Sequence, residues 1–378
     1  MPTKGLPSSY LLLSLLTLSI ALAACGGGNT ACTTPPCQIG GGAEFLIATS
    51  ISGDVLSLPV DAKTGALGAS TSAPGPAMSL GLAAVGSQFV YASDFQSGSI
   101  FAYSINSTSG ALTAAAGSPF SLGPFSVPTG LATRPGSNHL YVADAGKIDG
   151  LTINTAGVPA AISGSPFLAG TNLELAVDPS GRFLYATDDD PPGGVSAFMI
   201  DSTTGALSTV PGSPFTISGQ TVSNSQPFGL VVDSTGRFIY AALSTTNQIA
   251  AFSIVSGTGA GALTPVPGSP FPAGSTPLAV ATAGNFLYAN SADGTIWGYA
   301  IDSATGALNP VAGSPFPFHA ALLTTDALGN FLYGSSSTGI AAFSIDSTTG
   351  ALVPLAGSPF PAAGAVFLTI VKMPSQGG

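Results

Sequence analysis

Charged side chains are scarce in this sequence, and basic ones are the scarcest. Asp, Glu, Lys and Arg make up 6% of its 378 residues, and 7 Lys and Arg stand against 17 Asp and Glu, for a formal net charge of −10 at pH 7. Proteins that bind nucleic acid neutralise its phosphates with Lys and Arg, and polybasic segments do the same for anionic lipid. The balance therefore excludes nucleic acid as a partner and argues against a polybasic membrane contact.

Helical periodicity and the common catalytic motifs are also missing. No long stretch repeats its apolar residues every 3.6 positions, whereas 50 Gly and 31 Pro punctuate short apolar runs. The sequence contains no G-x-S-x-G, no H-E-x-x-H and no P-loop, which are common hydrolase and nucleotide signatures. What remains is an all-β chain of many short strands, for which we expect no cofactor.

One segment recurs along the chain and organises it. The stretch IDSTTGALVPLAGSPFP, from Ile345 to Pro361, returns as IDSTTGALSTVPGSPF from Ile200 and as IDSATGALNPVAGSPFP from Ile301. The glycine of its GSPF element stands at positions 117, 164, 212, 268, 313 and 357. A period in this range is the signature of a repeat architecture.

Each repeat divides into four strand-like pieces. In the middle of the chain they are Leu173 to Val177, Arg182 to Thr187, Val195 to Ile200 and Ala206 to Pro211, separated by turn sequences such as DPSG and DSTTG. The third piece can be followed through seven copies. The sequence therefore predicts an all-β, seven-bladed β-propeller with four-stranded antiparallel blades.

The two ends of the repeat array predict how the ring closes. Glu44 to Thr49 match a second piece that lacks its first piece, and Ala365 to Val371 match a first piece with no second piece after it. We expect the C-terminal strand to complete the first blade, which removes an open sheet edge. An open solenoid, the alternative, would need polar caps and would have no use for this split unit.

The N-terminus predicts export. Lys4 precedes an apolar run, Leu11 to Ala24, that is short for a membrane span, and Leu22-Ala23-Ala24-Cys25 resembles the bacterial lipobox. We therefore expect a leader over residues 1–24 and a lipidated Cys25. The lipid would anchor an exported protein to a bacterial membrane, facing the periplasm or the cell surface. A plain signal peptide with an incidental Cys is the alternative.

The segment after Cys25 is predicted to be a flexible tether over residues 25–43. Cys32 and Cys37 lie in it, and no His or further Cys stands nearby to complete a metal site. In an oxidising compartment they are expected to pair as a small disulfide, with free thiols as the alternative. Residues 44–374 then form the propeller, expected to be monomeric, and residues 375–378 a short tail.

The repeat resembles that of the bacterial lactonase-type seven-bladed propellers, which include 6-phosphogluconolactonase-like and muconate-lactonising proteins with YVTN-like repeats. The resemblance rests on second pieces like FLYVA, third pieces followed by IDxxTGAL, and fourth pieces ending in GSPF. It implies a carboxylic ester hydrolase acting on a lactone, through an Arg-His pair leading into the first piece and a Glu just after the second. A base would activate water and a cation would stabilise the oxyanion.

This chain departs from that pattern at the catalytic positions. The segments leading into the first piece read Pro128-Thr129-Gly130, Gln226-Pro227-Phe228 and Thr276-Pro277-Leu278, without Arg-His. After the second piece, only Asp189 places a carboxylate where the Glu would be. The arginines fall in turns between the first and second pieces, which should lie on the face opposite the ligand mouth. They are Arg134, Arg182 and Arg237.

A small set of ionisable residues is predicted at the mouth. His319 as a base with Lys147 as an oxyanion partner, together with Glu174 and Asp189, forms the candidate catalytic set. Asp188, Asp189 and Asp190 could together bind a hard cation such as Ca²⁺, or form a solvated acidic loop. The leading hypothesis is a membrane-anchored binding scaffold with an unidentified protein or small-molecule ligand at the mouth. A divergent lactonase and a purely structural surface protein are the alternatives.

Overall fold

The computed structural model describes residues 42–171, 174–190, 193–217, 227–362 and 364–374, which belong to one compact unit, Gly40–Gly378. The lipidation and disulfide candidates Cys25, Cys32 and Cys37 lie outside the described residues. Within these ranges every regular element is a strand, and no helix is long and apolar enough to cross a membrane.

The first half of the chain forms strands in groups that follow the repeat. In chain order they are β1 (Glu44–Ser50), β2 (Asp54–Val60), β3 (Thr71–Pro74), β4 (Leu82–Val85), β5 (Phe89–Asp94), β6 (Ser99–Ile105), β7 (Leu112–Ala114), β8 (Phe120–Ser121), β9 (Pro128–Thr133), β10 (His139–Asp144), β11 (Lys147–Ile153), β12 (Pro159–Ala161), β13 (Phe167–Leu168), β14 (Leu175–Val177), β15 (Phe183–Asp188), β16 (Gly194–Ile200), β17 (Leu207–Thr209) and β18 (Phe215–Thr216).

The second half continues the same pattern. Its strands are β19 (Pro227–Val232), β20 (Phe238–Leu243), β21 (Gln248–Ile254), β22 (Leu263–Pro265), β23 (Phe271–Pro272), β24 (Val280–Ala283), β25 (Phe286–Asn290), β26 (Ile296–Ile301), β27 (Leu308–Pro310), β28 (Leu323–Thr325), β29 (Phe331–Ser336), β30 (Gly339–Ile345), β31 (Leu352–Pro354) and β32 (Ala365–Lys372).

These strands pair into seven antiparallel sheets, the blades of the predicted propeller. The order in the second blade is β4-β5-β6-β7, and the third to seventh blades repeat it, each with its innermost strand first. The first blade has the order β3-β2-β1-β32, so the last strand of the chain supplies its innermost strand. Glu44 pairs with Lys372 and Phe45 with Val371 at this junction. The predicted fold and ring closure are confirmed.

The core lies between neighbouring blades. Each described apolar cluster combines side chains from two successive blades; one, for example, joins Tyr185 and Val195 of the fourth blade to Ile239 and Phe252 of the fifth. The second strand of each blade is buried along almost its whole length, because both of its faces pack against sheet. Consecutive apolar residues in these strands follow from that position.

The GSPF element has two packing roles. Its Ser Oγ accepts a hydrogen bond from a third-strand amide, as from Ala197 to Ser213 at 2.9 Å. Its Phe joins the cluster between its own blade and the next one, as Phe215 does between the fourth and fifth blades. This phenylalanine therefore connects neighbouring blades.

Candidate functional site

The face that the sequence assigns to the ligand mouth is formed by two kinds of loop. They follow the second strand of each blade, or they lead into the innermost strand of the next; we call this the mouth face. Every Lys and Arg of the described residues except Lys147 lies on the opposite face. These residues lie in turns between the first and second strands, in a turn between the third and fourth strands, or at the end of β32. The mouth face carries the acidic residues Asp54, Asp94, Asp144, Asp149, Glu174, Asp188, Asp189, Asp190 and Asp293.

The innermost strands enclose a central cavity of about 340 Å³. It is lined by the innermost strands of the first five blades, through residues such as Leu82, Leu131, Leu175, Leu230 and Ile370. No ionisable side chain is among its lining residues in the described part of the chain. Because an innermost strand pairs on one side only, its unpaired backbone edge also faces this space.

Lys147 is held between two carboxylates in the third blade. Its Nζ lies 2.7 Å from Asp144 Oδ2 and 2.8 Å from Asp149 Oδ2, and these are the only salt bridges among the described residues. Burial works against its charge, but the two carboxylates outweigh burial and raise its pKa. Burial also raises the pKa of Asp149, against the effect of Lys147. The ammonium is therefore already neutralised by its own blade.

Asp144 also supports the inner strand of its blade. The backbone N–H of Val127, just before β9, donates to Asp144 Oδ1, and the Asp144 side chain is fully buried. Asp94 has a similar role in the second blade, where it accepts hydrogen bonds from the Met78 amide and the Ser97 hydroxyl. These two carboxylates at the mouth hold loops in place.

Glu174 lies at the entrance of the cavity, directly before Leu175 of its lining. Its backbone N–H donates to Thr187 Oγ1 at 3.0 Å, and its carbonyl accepts from the Thr187 amide at 3.1 Å. The residue keeps part of its surface exposed, yet protein atoms surround the carboxyl closely enough that burial raises its pKa to about 8. At neutral pH this group is mostly protonated.

The three successive aspartates of the fourth blade bond to different partners. Asp188 Oδ2 accepts from Ser196 Oγ at 2.9 Å, and both carboxylate oxygens of Asp190 accept from Thr171, at 2.8 and 3.1 Å. The Asp189 amide donates to the Thr171 carbonyl at 3.0 Å. Within the described ranges, no group of three His, Cys, Asp or Glu side chains is arranged to hold a metal ion.

The structure does not gather the candidate catalytic residues into one blade. Lys147 belongs to the third blade, and Glu174 precedes the innermost strand of the fourth. His319 is exposed in the segment between β27 and β28, which joins the sixth and seventh blades, and its ring neighbours Gly294. Lys147, Glu174 and Asp189 belong to the neighbouring third and fourth blades, whereas His319 lies on the far side of the ring.

The three arginines lie on the face opposite the mouth, as their positions in the sequence predicted. Two of them stack on aromatic rings. The guanidinium carbons of Arg182 and Arg237 lie 5.1 and 5.0 Å from the ring centroids of Phe183 and Phe238. Arg134 donates to the carbonyls of Gly181 and Ser202 at 2.9 and 3.0 Å. All three have structural contacts far from the mouth.

Exposed apolar side chains on the mouth face were missed by sequence reasoning. Ile51 lies in a loop of the first blade, and the segments that join successive blades from the first to the fourth carry Met78, Phe125 and Leu168 in turn. Their exposed fractions are 53%, 40%, 81% and 88%. We call these four residues the apolar arc. They stand where the repeats disagree in sequence, which is the one signal that could have found them.

Comparison with solved structures shows which known proteins share this fold. No family model and no curated protein matches the chain. Solved structures do, including a candidate 6-phosphogluconolactonase from Bacteroides uniformis at 18% identity and a TM-score of 0.67, covering 87% of this chain and 99% of the other. The fold is that of the lactonase-type propellers.

Two further structures share this lactonase-type fold. A candidate 6-phosphogluconolactonase from Bacteroides fragilis has 19% identity and a TM-score of 0.68, covering 89% of this chain and 99% of the other. A periplasmic gluconolactonase from Pseudomonas aeruginosa has 17% identity and a TM-score of 0.65, covering 88% and 100%. Identities of this size establish the shared fold and leave the reaction open.

Proposed function

We propose that this lactonase-type propeller is a binding scaffold whose mouth face engages a ligand without hydrolysing it. The observation that carries the proposal is the state of Lys147. In the hypothesised catalytic set, Lys147 is the group that would stabilise the oxyanion with its positive charge. Lys147 is the one Lys or Arg of the mouth face in the described ranges, and Asp144 and Asp149 already bind its ammonium.

The remaining ionisable groups also argue against hydrolysis at the mouth face. A general base must accept a proton at the working pH. Glu174 is mostly protonated at neutral pH because its pKa is about 8. Asp188 and Asp190 hold their own loop through Ser196 and Thr171. His319 lies across the ring from Lys147 and Glu174.

Lactone hydrolysis tests the proposal directly. We expect purified full-length protein to hydrolyse gluconolactone and 6-phosphogluconolactone no faster than matched Lys147→Met and His319→Ala variants. A rate well above the uncatalysed reaction that either variant abolishes would overturn it. The acidic mouth makes the phosphorylated lactone the poorer substrate of the two.

A divergent lactonase is the second candidate, and Glu174 is the observation in its favour. A carboxyl group with a pKa of about 8 beside a cavity could act as a general acid at neutral pH. This candidate predicts gluconolactone turnover that declines as the pH rises through about 8 and that Glu174→Gln removes. Turnover with a flat pH profile, or unchanged by Glu174→Gln, would count against it.

The anchoring part of the proposal rests on the lipobox-like sequence before Cys25. We propose that the mature protein carries lipid on Cys25 and is exported to a bacterial membrane. Gly42 and Pro374 both lie beside the ends of β1 and β32 on the face opposite the mouth. The chain therefore enters the propeller on that face. Loss of membrane association and of lipid labelling in Cys25→Ser would support this; retention of both would contradict it.

A further inference from the structure

The apolar arc is concentrated on one part of the mouth face. Ile51 follows β1, Met78 precedes β4, Phe125 precedes β9 and Leu168 ends β13, so the four residues occupy successive positions from the first blade to the junction of the third and fourth. Single exposed apolar side chains are ordinary, whereas four on successive loops of one face offer apolar contact area to one partner. Aromatic residues such as Phe125 are also enriched at such surfaces.

The loop that carries Phe125 has an unfavourable backbone conformation at one residue and an unpaired buried hydroxyl at the next. Phe125 has φ 65°, in the left-handed region that bulky residues rarely adopt, and its side chain is 81% exposed. The next residue, Ser126, is 4% exposed, and its hydroxyl has no hydrogen-bond partner. Backbone strain and unsatisfied buried polar groups persist where surrounding structure maintains them, and they concentrate at sites of function.

Charge decides which partner fits this surface. Asp54 lies three residues after Ile51. Asp190 is exposed in the loop after β15, and its carboxylate accepts a hydrogen bond from Thr171, which lies between β13 and β14. Lys147, the one Lys or Arg of the mouth face within the described ranges, is neutralised by Asp144 and Asp149. A second copy that used the same face would bring two acidic surfaces together, which is repulsive.

We propose that the apolar arc and its flanking aspartates form a docking surface for a protein segment with exposed apolar side chains and Lys or Arg beside them. Phe125 and Leu168 are its apolar anchors, and Asp54 and Asp190 attract the basic side chains. This inference rests on the proposed binding function and specifies its partner. Phe125 keeps its strained backbone because the exposed ring is needed for the contact.

The test uses full-length protein and a fluorescent peptide in which Lys alternates with Phe. Matched peptides replace Lys with Glu, or Phe with Ser. We expect the Lys-Phe peptide to bind, the other two to bind much more weakly, and added salt to weaken the binding, since exposed charges are screened. Phe125→Gly should lower the affinity about tenfold, as loss of an interface anchor does, and raise the thermal stability of the free protein by releasing the positive φ.

Two control variants separate the contributions. Thr276→Gly removes another positive φ, 46°, on the mouth face away from the arc, and should raise stability without changing the affinity. Leu328→Ser removes an apolar side chain that is 69% exposed on the opposite face and should leave binding unchanged. An affinity that drops equally in Phe125→Gly and either control would contradict the proposal.

Other occupants of the surface would give different results. Concentration-dependent dimers that Phe125→Gly abolishes would assign the surface to a second copy, and binding to neutral phosphatidylcholine vesicles would assign it to lipid; either result overturns the proposal, as does absence of peptide binding. Lactone turnover measured on the same preparations bears on the proposed function alone. The two inferences can therefore fail separately.

Discussion

At the scale of single residues, one copy of the repeat breaks a packing rule that the other six obey. Near the start of the second strand, one residue places its ring against the glycine of a turn in the next blade, as Phe183 does on Gly261 and Phe238 on Gly306. In the third blade this residue is His139, whose ring lies against Gly205. His139 is 7% exposed, and its Nδ1 has no hydrogen-bond partner.

Replacement of His139 by Phe is expected to stabilise the protein by about 1 kcal/mol at neutral pH, because a buried unsatisfied polar atom is removed. Burial, with Arg134 nearby, lowers the pKa of His139 below 6.5. The unfolded chain therefore binds the proton more tightly, and the wild-type protein loses stability as the pH falls below about 6.5. We expect the advantage of His139→Phe to grow between pH 7 and pH 5, measured by denaturant unfolding. Parallel pH profiles for His139→Phe and the wild-type protein would show that His139 is accommodated in both protonation states.

Replacement of Lys147 by Met is expected to destabilise the protein by about 3 kcal/mol at neutral pH, because it leaves Asp144 and Asp149 as adjacent, buried and uncompensated carboxylates. A folded protein that contains a carboxyl group with a raised pKa becomes more stable as that group is protonated. The stability lost in Lys147→Met should therefore decrease as the pH falls through the raised pKa of Asp149. Thermal unfolding of Lys147→Met and of the exposed control Lys63→Met, at neutral and mildly acidic pH, measures this. Equal stability of the two variants would refute it.

At the scale of elements, the second strand carries a second contact between blades. In six blades its Tyr hydroxyl donates to the carbonyl of the same turn glycine in the next blade, as from Tyr288 to Gly350 at 2.8 Å and from Tyr91 to Gly157 at 2.7 Å. The first blade has Ile47 at this position. The repeated FLYA-like sequence therefore specifies both a strand and its attachment to the neighbouring blade.

Removal of one such hydroxyl tests the contact. Tyr288→Phe is expected to lower the free energy of unfolding by about 1–3 kcal/mol, because the Gly350 carbonyl is left buried without its partner. Tyr288→Leu, which also removes the ring, should cost more, and the difference separates packing from the hydrogen bond. A Tyr288→Phe variant as stable as the wild-type protein would mean that water replaces the hydroxyl.

At the scale of the whole molecule, the ring is held closed by one strand from the far end of the chain. β32 pairs with β1 and also packs against the innermost strands of the second and seventh blades. Blade-to-blade packing alone leaves an open edge on β1, which sheets do not tolerate well in water.

Deletion of residues 365–378 is therefore expected to do more than remove one strand. The truncated chain should lose cooperative thermal unfolding and form aggregates, because the first blade then exposes its inner edge and apolar face. Size-exclusion chromatography and thermal scans measure both effects. A monomeric truncated protein with an unchanged transition would show that six complete blades suffice.

The sequence predicted the fold in detail and the mouth face only in outline, for a physical reason. Blade contacts recur, so Phe, Tyr and the GSPF serine repeat, and their spacing specifies the strands and the closure through Ala365 to Val371. The mouth face consists of loops that differ from copy to copy. Their chemistry depends on side-chain partners from separate loops, such as Thr171 and Asp190, that no repeated pattern encodes.

The amino-acid sequence by itself determined seven units, the split first blade and the face on which Arg134, Arg182 and Arg237 lie, because these depend on strand order and turn chemistry along the chain. The tertiary structure alone decided three further points. Lys147 is neutralised between two carboxylates, burial raises the pKa of Glu174 to about 8, and four apolar side chains stay exposed around one part of the mouth face. The ion pairs of Lys147 form within one hairpin, but their geometry is set only once β10 and β11 have paired. The other two points depend on how deeply neighbouring loops and blades bury each side chain, which arises only when the blades pack against one another.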